Sequence, residues 1–153
     1  MMNLLQIVSE DSFMSETFNF CGTSTLHEDM LKRREARIVA GNTKLAKLSK
    51  EAGEALEAYN KFRKNTRDEQ NQQGNPLAWL QSSPKYAAFQ AAEDALFEFE
   101  KELNAADAKR IKEIEKRLSV LKDAAAENGL SEEANAEMDA LEAELQKLEF
   151  PWL

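Results

Sequence analysis

The stretch LAKLSKEAGEALEAYNKF, residues 45–62, decides the fold. Its apolar positions Leu45, Leu48, Ala52, Ala55, Tyr59 and Phe62 are separated by gaps of 3, 4, 3, 4 and 3. That spacing places one apolar stripe on one face of an α-helix, as a heptad seam awaiting a second helix. A strand would alternate every second residue instead. Upstream the stripe continues through Leu31 and Ile38. Ser24 or Thr25 can cap the helix, and Glu28 stands at capping-box distance from Thr25. At "AGN", residues 40–42, Gly41 falls on the seam and Asn42 lowers helix propensity. The expectation there is a kink or a close helix contact rather than a full break. Downstream the helix fades in the polar run NTRDEQNQQG, and Gly74, Asn75 and Pro76 stop it.

A second helix is predicted from Pro84 to about Asn128, with Ser82 or Ser83 as cap, Pro84 in its first turn and Gly129 just past its end. Its seam reads Phe89, Ala92, Leu96, Phe99 and Leu103. It resumes one position out of phase at Ile111, Ile114, Leu118, Leu121 and Ala125, which reads as a stutter. A third, shorter helix starts at Ser131, carries Met138, Leu141, Leu145 and Leu148, and ends at Pro151. Between the first two, "PLAWLQ" forms at most a short turn. Residues 1–25 have β-formers and turn residues without helical spacing and read as an extended N-terminal arm. The predicted fold is all-α: an elongated antiparallel helical hairpin or coiled coil with a third shorter helix. Residues 26–150 form one domain, and 151–153 form a tail. Each long helix would run roughly 70 Å.

Charged residues make up 31% of the chain and only five Gly and three Pro interrupt it, which favours solvated helices over a thick core. The net charge of −8 disfavours direct binding to nucleic acid, whose phosphates need a basic surface. The charge is uneven. Residues 26–72 are net +3 and residues 73–153 net −8. A basic first helix can therefore lie beside acidic partners, within the chain or between copies. The single cysteine, Cys21, excludes an intrachain disulfide and makes a reducing compartment the default, with a bridge between two copies as the alternative. "MMNLLQIVSEDSF" lacks the basic first region of a signal peptide, and no apolar run is long enough to span a membrane. The expected location is the cytoplasm or a soluble assembly such as a virion.

Motifs for chemistry are sparse. His27 is the only histidine, and in "HEDML" Leu31 stands where a zinc-protease motif needs its second histidine. Cys21 and His27 cannot build a structural zinc site alone, and no nucleophile has another good base. The acidic run Glu93, Asp94, Glu98, Glu100 and Glu102 lacks the histidines of a two-metal helical site and reads as a solvated face. No catalytic, metal-ligating or cofactor-binding residue is assigned. The basic clusters "KRREAR" (Lys32, Arg33, Arg34, Arg37) and "KFRKNTR" (Lys61, Arg63, Lys64, Arg67) could touch phosphate, but the acids elsewhere in the chain or in a second copy are the nearer match.

The aromatics say more. Tyr59 and Phe62 end the first seam, while Trp79, Tyr86, Phe89, Phe97 and Phe99 gather near the start of the second helix. An antiparallel pairing brings them together as packing, with Trp79 the candidate anchor for a partner. The chain finishes on FPWL. Burying Phe150, Trp152 and Leu153 would each be worth about 1.5–3 kcal/mol, so the tail either folds back or enters a groove on another molecule. Phe150, Trp152, Leu153 and Trp79 are the candidate partner-binding residues.

The stretch LQSSPKYAAFQAAEDALF, residues 80–97, resembles the YlbF-type family of small helical bacterial regulators in its Ser-x-x-Tyr and Ala-x-x-Ala pattern. The resemblance extends at most from Ala78 to Leu148. It implies a helical fold, and no function is carried over from it. The sequence as a whole predicts a non-enzymatic structural or adaptor protein, working through protein partners as a homo-oligomer or in a hetero-assembly of a phage or bacterium. The alternative is a small acidic inhibitor that presents carboxylate rows to a nucleic-acid-binding protein.

Overall fold

The computed structural model describes the backbone from Cys21 to Leu153 and the side chains from Leu26 onward. All regular structure among these residues is helical: α1 (Cys21–Val39), α2 (Thr43–Asn65), α3 (Arg67–Asn71), α4 (Pro76–Gln81), α5 (Pro84–Asn128) and α6 (Glu132–Glu149). Of the expected arm, residues 1–20 lie outside the described residues, and residues 21–25 belong to α1.

The first long helix is broken where a kink was expected. The Gly41 amide donates to the Ile38 carbonyl and the Asn42 amide to the Arg37 carbonyl, the paired bonds of a Schellman motif. Gly41 sits at φ +107°, a backbone conformation that side chains resist. The next residue restarts the chain: the Asn42 side chain accepts from the Leu45 amide at 3.0 Å and caps α2. A stop and a start in adjacent residues outcompete the continuing apolar stripe. The other starts follow the same chemistry. Asn75 caps α4 with Pro76 in its first turn, Ser83 caps α5 with Pro84 in its first turn, and Ser131 caps α6. The run "PLAWLQ" is thus a helix of its own, and the polar stretch before it contains α3.

The chain divides into two compact units, one holding the residues up to Ala36 together with Trp152, the other Arg37–Pro151 with Leu153. In the first, the Arg33 guanidinium lies 5.5 Å from the centre of the Trp152 ring, while Leu26 and Leu31 are exposed.

The second unit is built on α5. Residue numbers rise from the end of α1 through α2 as they fall along α5: Arg37 of α1 bonds Asp107, Lys44 of α2 lies over Phe99, and Tyr59 of α2 meets Phe89 and Tyr86. The two segments therefore run antiparallel. Leu45, Ala52 and Leu96 form the buried cluster between them, flanked by Ile38, Leu48, Ala92, Phe99 and Leu103. On the second half of α5, Ile114, Leu118 and Leu121 are buried, and α6 packs there with Met138, Leu141, Leu145 and Leu148 half-buried. Arg110 pairs with Glu144 and Arg117 with Glu137, so α6 is antiparallel to α5 as well.

Leu96 and Ile114, and likewise Leu103 and Leu121, stand about five full turns apart in the chain, so the side chains buried against α2 and those buried against α6 share one face of α5. The expected stutter falls where α5 passes from its pairing with α2 to its pairing with α6.

Candidate functional site

At one end of the second unit the C-terminus of α2, the short α4 and the first turns of α5 bring five aromatic rings together. Tyr59 stacks on Phe89 with centroids 6.1 Å apart and meets the edge of Tyr86 at 5.2 Å. Phe62 stacks on Trp79 at 5.9 Å. Such pairs contribute beyond the area they bury. Burial pushes the Tyr59 phenol above its ordinary value, and the Arg63 guanidinium 5.8 Å from its ring centre pulls it partly back. Trp79 is half-buried, its face used within the chain. Two expected members stand apart: Phe97 is exposed, and Phe99 lies in the α2–α5 core beneath the Lys44 ammonium, 4.5 Å away.

The FPWL tail is divided. Trp152 is half-buried beside Arg33, Phe150 is exposed, and Leu153 retains 81% of its accessible surface. Phe150 follows the end of α6, whose register places it beside the middle of α5, about 20 residues or ~30 Å along that helix from the aromatic cluster at Trp79. The structure does not bring Trp79 and Phe150 into one site.

The charged residues sort into matched and unmatched groups. In "KRREAR" the Arg37 guanidinium donates to Asn104 at 2.8 Å and Asp107 at 2.9 Å. Arg110 and Arg117 each make a two-pronged bond, to Glu144 (2.6 and 2.8 Å) and Glu137 (2.6 and 3.0 Å). These bonds hold both carboxyls below the usual carboxylate range. Neither pair was singled out from the sequence, although a signal existed. Two arginines seven apart and two glutamates seven apart stand at matching distances on either side of the turn at Asn128–Gly129. Of the expected solvated acidic face, Glu98 and Glu102 are exposed, but Glu100 is buried at 6% exposure.

The second basic cluster is unmatched. Where α2 bends into α3 at Thr66, a groove of about 400 Å³ is lined by Asn60, Arg63, Lys64, Arg67, Gln70 and Asn71. No carboxylate lines it. A second depression, of about 390 Å³, lies at the α5–α6 turn and is lined largely by Leu121, Leu130 and alanines. Among the described residues no three His, Cys, Asp or Glu side chains converge to hold a metal, His27 is exposed, and no helix is long and apolar enough to cross a membrane.

No protein family, curated protein or solved structure matches the chain. The likeness of residues 78–148 to the YlbF-type regulators therefore stays at the level of residue pattern.

Proposed function

We propose that this chain is a non-enzymatic structural or adaptor protein that works through helix surfaces and its terminal segments, in the cytoplasm or within a soluble assembly such as a virion. In this reading the α2–α5 and α5–α6 pairings act as an elongated antiparallel coiled coil that other protein surfaces complete. One observation carries it. Among the described residues eight apolar side chains are buried, whereas ten large ones stay exposed, including Val39, Leu77, Val120, Leu130, Phe150 and Leu153. Helix pairs one seam deep gain more from partners than from themselves.

The test is solution mass by light scattering during gel filtration, for the full chain and for a chain stopped at Glu149. An oligomer that dissociates when FPWL is removed is the expected outcome. Monomers in both cases, with no partner recovered on the tail, would refute the assembly role of the C-terminus.

A second reading, a small acidic inhibitor of a nucleic-acid-binding protein, is favoured by α6, where Glu132, Glu133, Asp139 and Glu142 are exposed. Binding driven by those carboxylates must weaken steeply with salt. Salt-insensitive capture of the target would count against it.

A further inference from the structure

The groove at the α2–α3 bend is electropositive in a chain whose net charge is −8. Three cations and three carboxamides line it, all from one helical face: Asn60, Arg63, Lys64 and Arg67, then Gln70 and Asn71 one turn on. The bend makes that face concave, and its geometry is fixed. The Thr66 hydroxyl donates to the Phe62 carbonyl at 2.8 Å, and the Gln70 amide donates to the Arg63 carbonyl at 2.6 Å. Arg63 is further positioned by its place over the Tyr59 ring. Among the described residues no ion pair engages Arg63, Lys64 or Arg67, while Arg37, Arg110 and Arg117 all meet carboxylates.

We propose that this groove binds a compact oligophosphate. The chemistry selects the ligand. Guanidinium forks match phosphate oxygens two at a time, and the carboxamides of Asn60 and Asn71 add donors without charge, while both N–H groups of Gln70 are held by the Arg63 carbonyl and the Thr66 hydroxyl. Clustered cations in a concave site focus the field that draws in an anion. The volume suits a small ligand, but the walls are polar, so the groove grips a charged group rather than an apolar body. A long nucleic acid would bring its charge against the acidic remainder of the chain. A short, densely charged phosphate chain avoids that repulsion.

Titration calorimetry of the full chain with tripolyphosphate at low salt tests this. Saturable one-to-one binding is expected, weakening as salt rises. Arg67→Gln and Lys64→Gln should each weaken it roughly tenfold. Lys116→Gln, an exposed lysine on α5 with the same charge change, should leave it unaltered. Helix content by circular dichroism checks that each variant folds. In the unaltered protein, the side-chain amide resonances of Asn60 and Asn71 should move on titration. Absence of saturable binding, equal weakening by Lys116→Gln, or amide shifts elsewhere would overturn the site. Citrate binding as tightly as tripolyphosphate would overturn the assignment to phosphate.

Discussion

Among the described residues, Leu45 and Ile114 are the two large side chains with no residual exposure, one in each helix pairing. Replacing Leu45 by Ala removes three carbon groups from the cluster of Ala52 and Leu96. At about 0.8 kcal/mol per group the transfer loss is roughly 2.4 kcal/mol. A cavity adds to that, but the flanking Ile38, Leu48, Ala92 and Phe99 are only partly buried and can close in. The total should fall near the low end of the range for such deletions, about 2.5–3.5 kcal/mol. Ile114→Ala should cost a similar amount. The two sites lie about 15 residues or more apart along α5, ~25 Å, so the double variant should be additive within about 0.5 kcal/mol. Urea unfolding followed by circular dichroism measures all three, with Leu56→Ala, at a partly exposed position on α2, as the control expected to lose less than about 1 kcal/mol. A loss below about 1 kcal/mol for Leu45→Ala would mean that the α2–α5 cluster does not carry the fold.

Other outcomes follow from local features. Gly41→Ala meets no neighbouring atom, so its cost is backbone strain alone, about 1–2 kcal/mol by chemical denaturation. Asn42→Ala should lose about 1 kcal/mol with the α2 cap. The depressed carboxyls of Glu137 and Glu144 contribute stability that is complete above their ordinary value of 4.5 and disappears as pH falls through their lower folded values. Unfolding curves from pH 6 to 2 should show that loss, and the Arg110→Gln, Arg117→Gln double variant should flatten it. Both pairs are exposed to solvent, so the effect should shrink as salt is raised.

The long helix α5 was legible because its ends are written in local chemistry: a serine and Pro84 at the start, Gly129 at the stop, with Ser83 rather than Ser82 the cap. The same reasoning reached α6 through Ser131. The α1–α2 break was not read because the apolar stripe runs through it. A periodicity argument weighs many residues, whereas Gly41 and Asn42 act through two backbone bonds and one side chain. The aromatic cluster was legible in part. Tyr59, Phe62, Trp79, Tyr86 and Phe89 follow from antiparallel pairing, but Phe97 and Phe99 lie on different faces of a helix that serves two partners. The fate of the basic residues depends on register. Which arginines meet carboxylates is decided by which turns of α5 and α6 face each other, and composition alone holds no such information.

The change of partner along α5 makes the length of that helix a setting rather than a spacer. Deleting one residue between Leu103 and Ile111 would swing the α6 landing face by about 100° around the axis while leaving every local helix signal intact. Inserting seven would return it to within about 20°. Among natural variants of this chain, length changes in that segment should therefore come in sevens, and single-residue changes there should be found only with compensating shifts in the Ile111–Leu121 stripe.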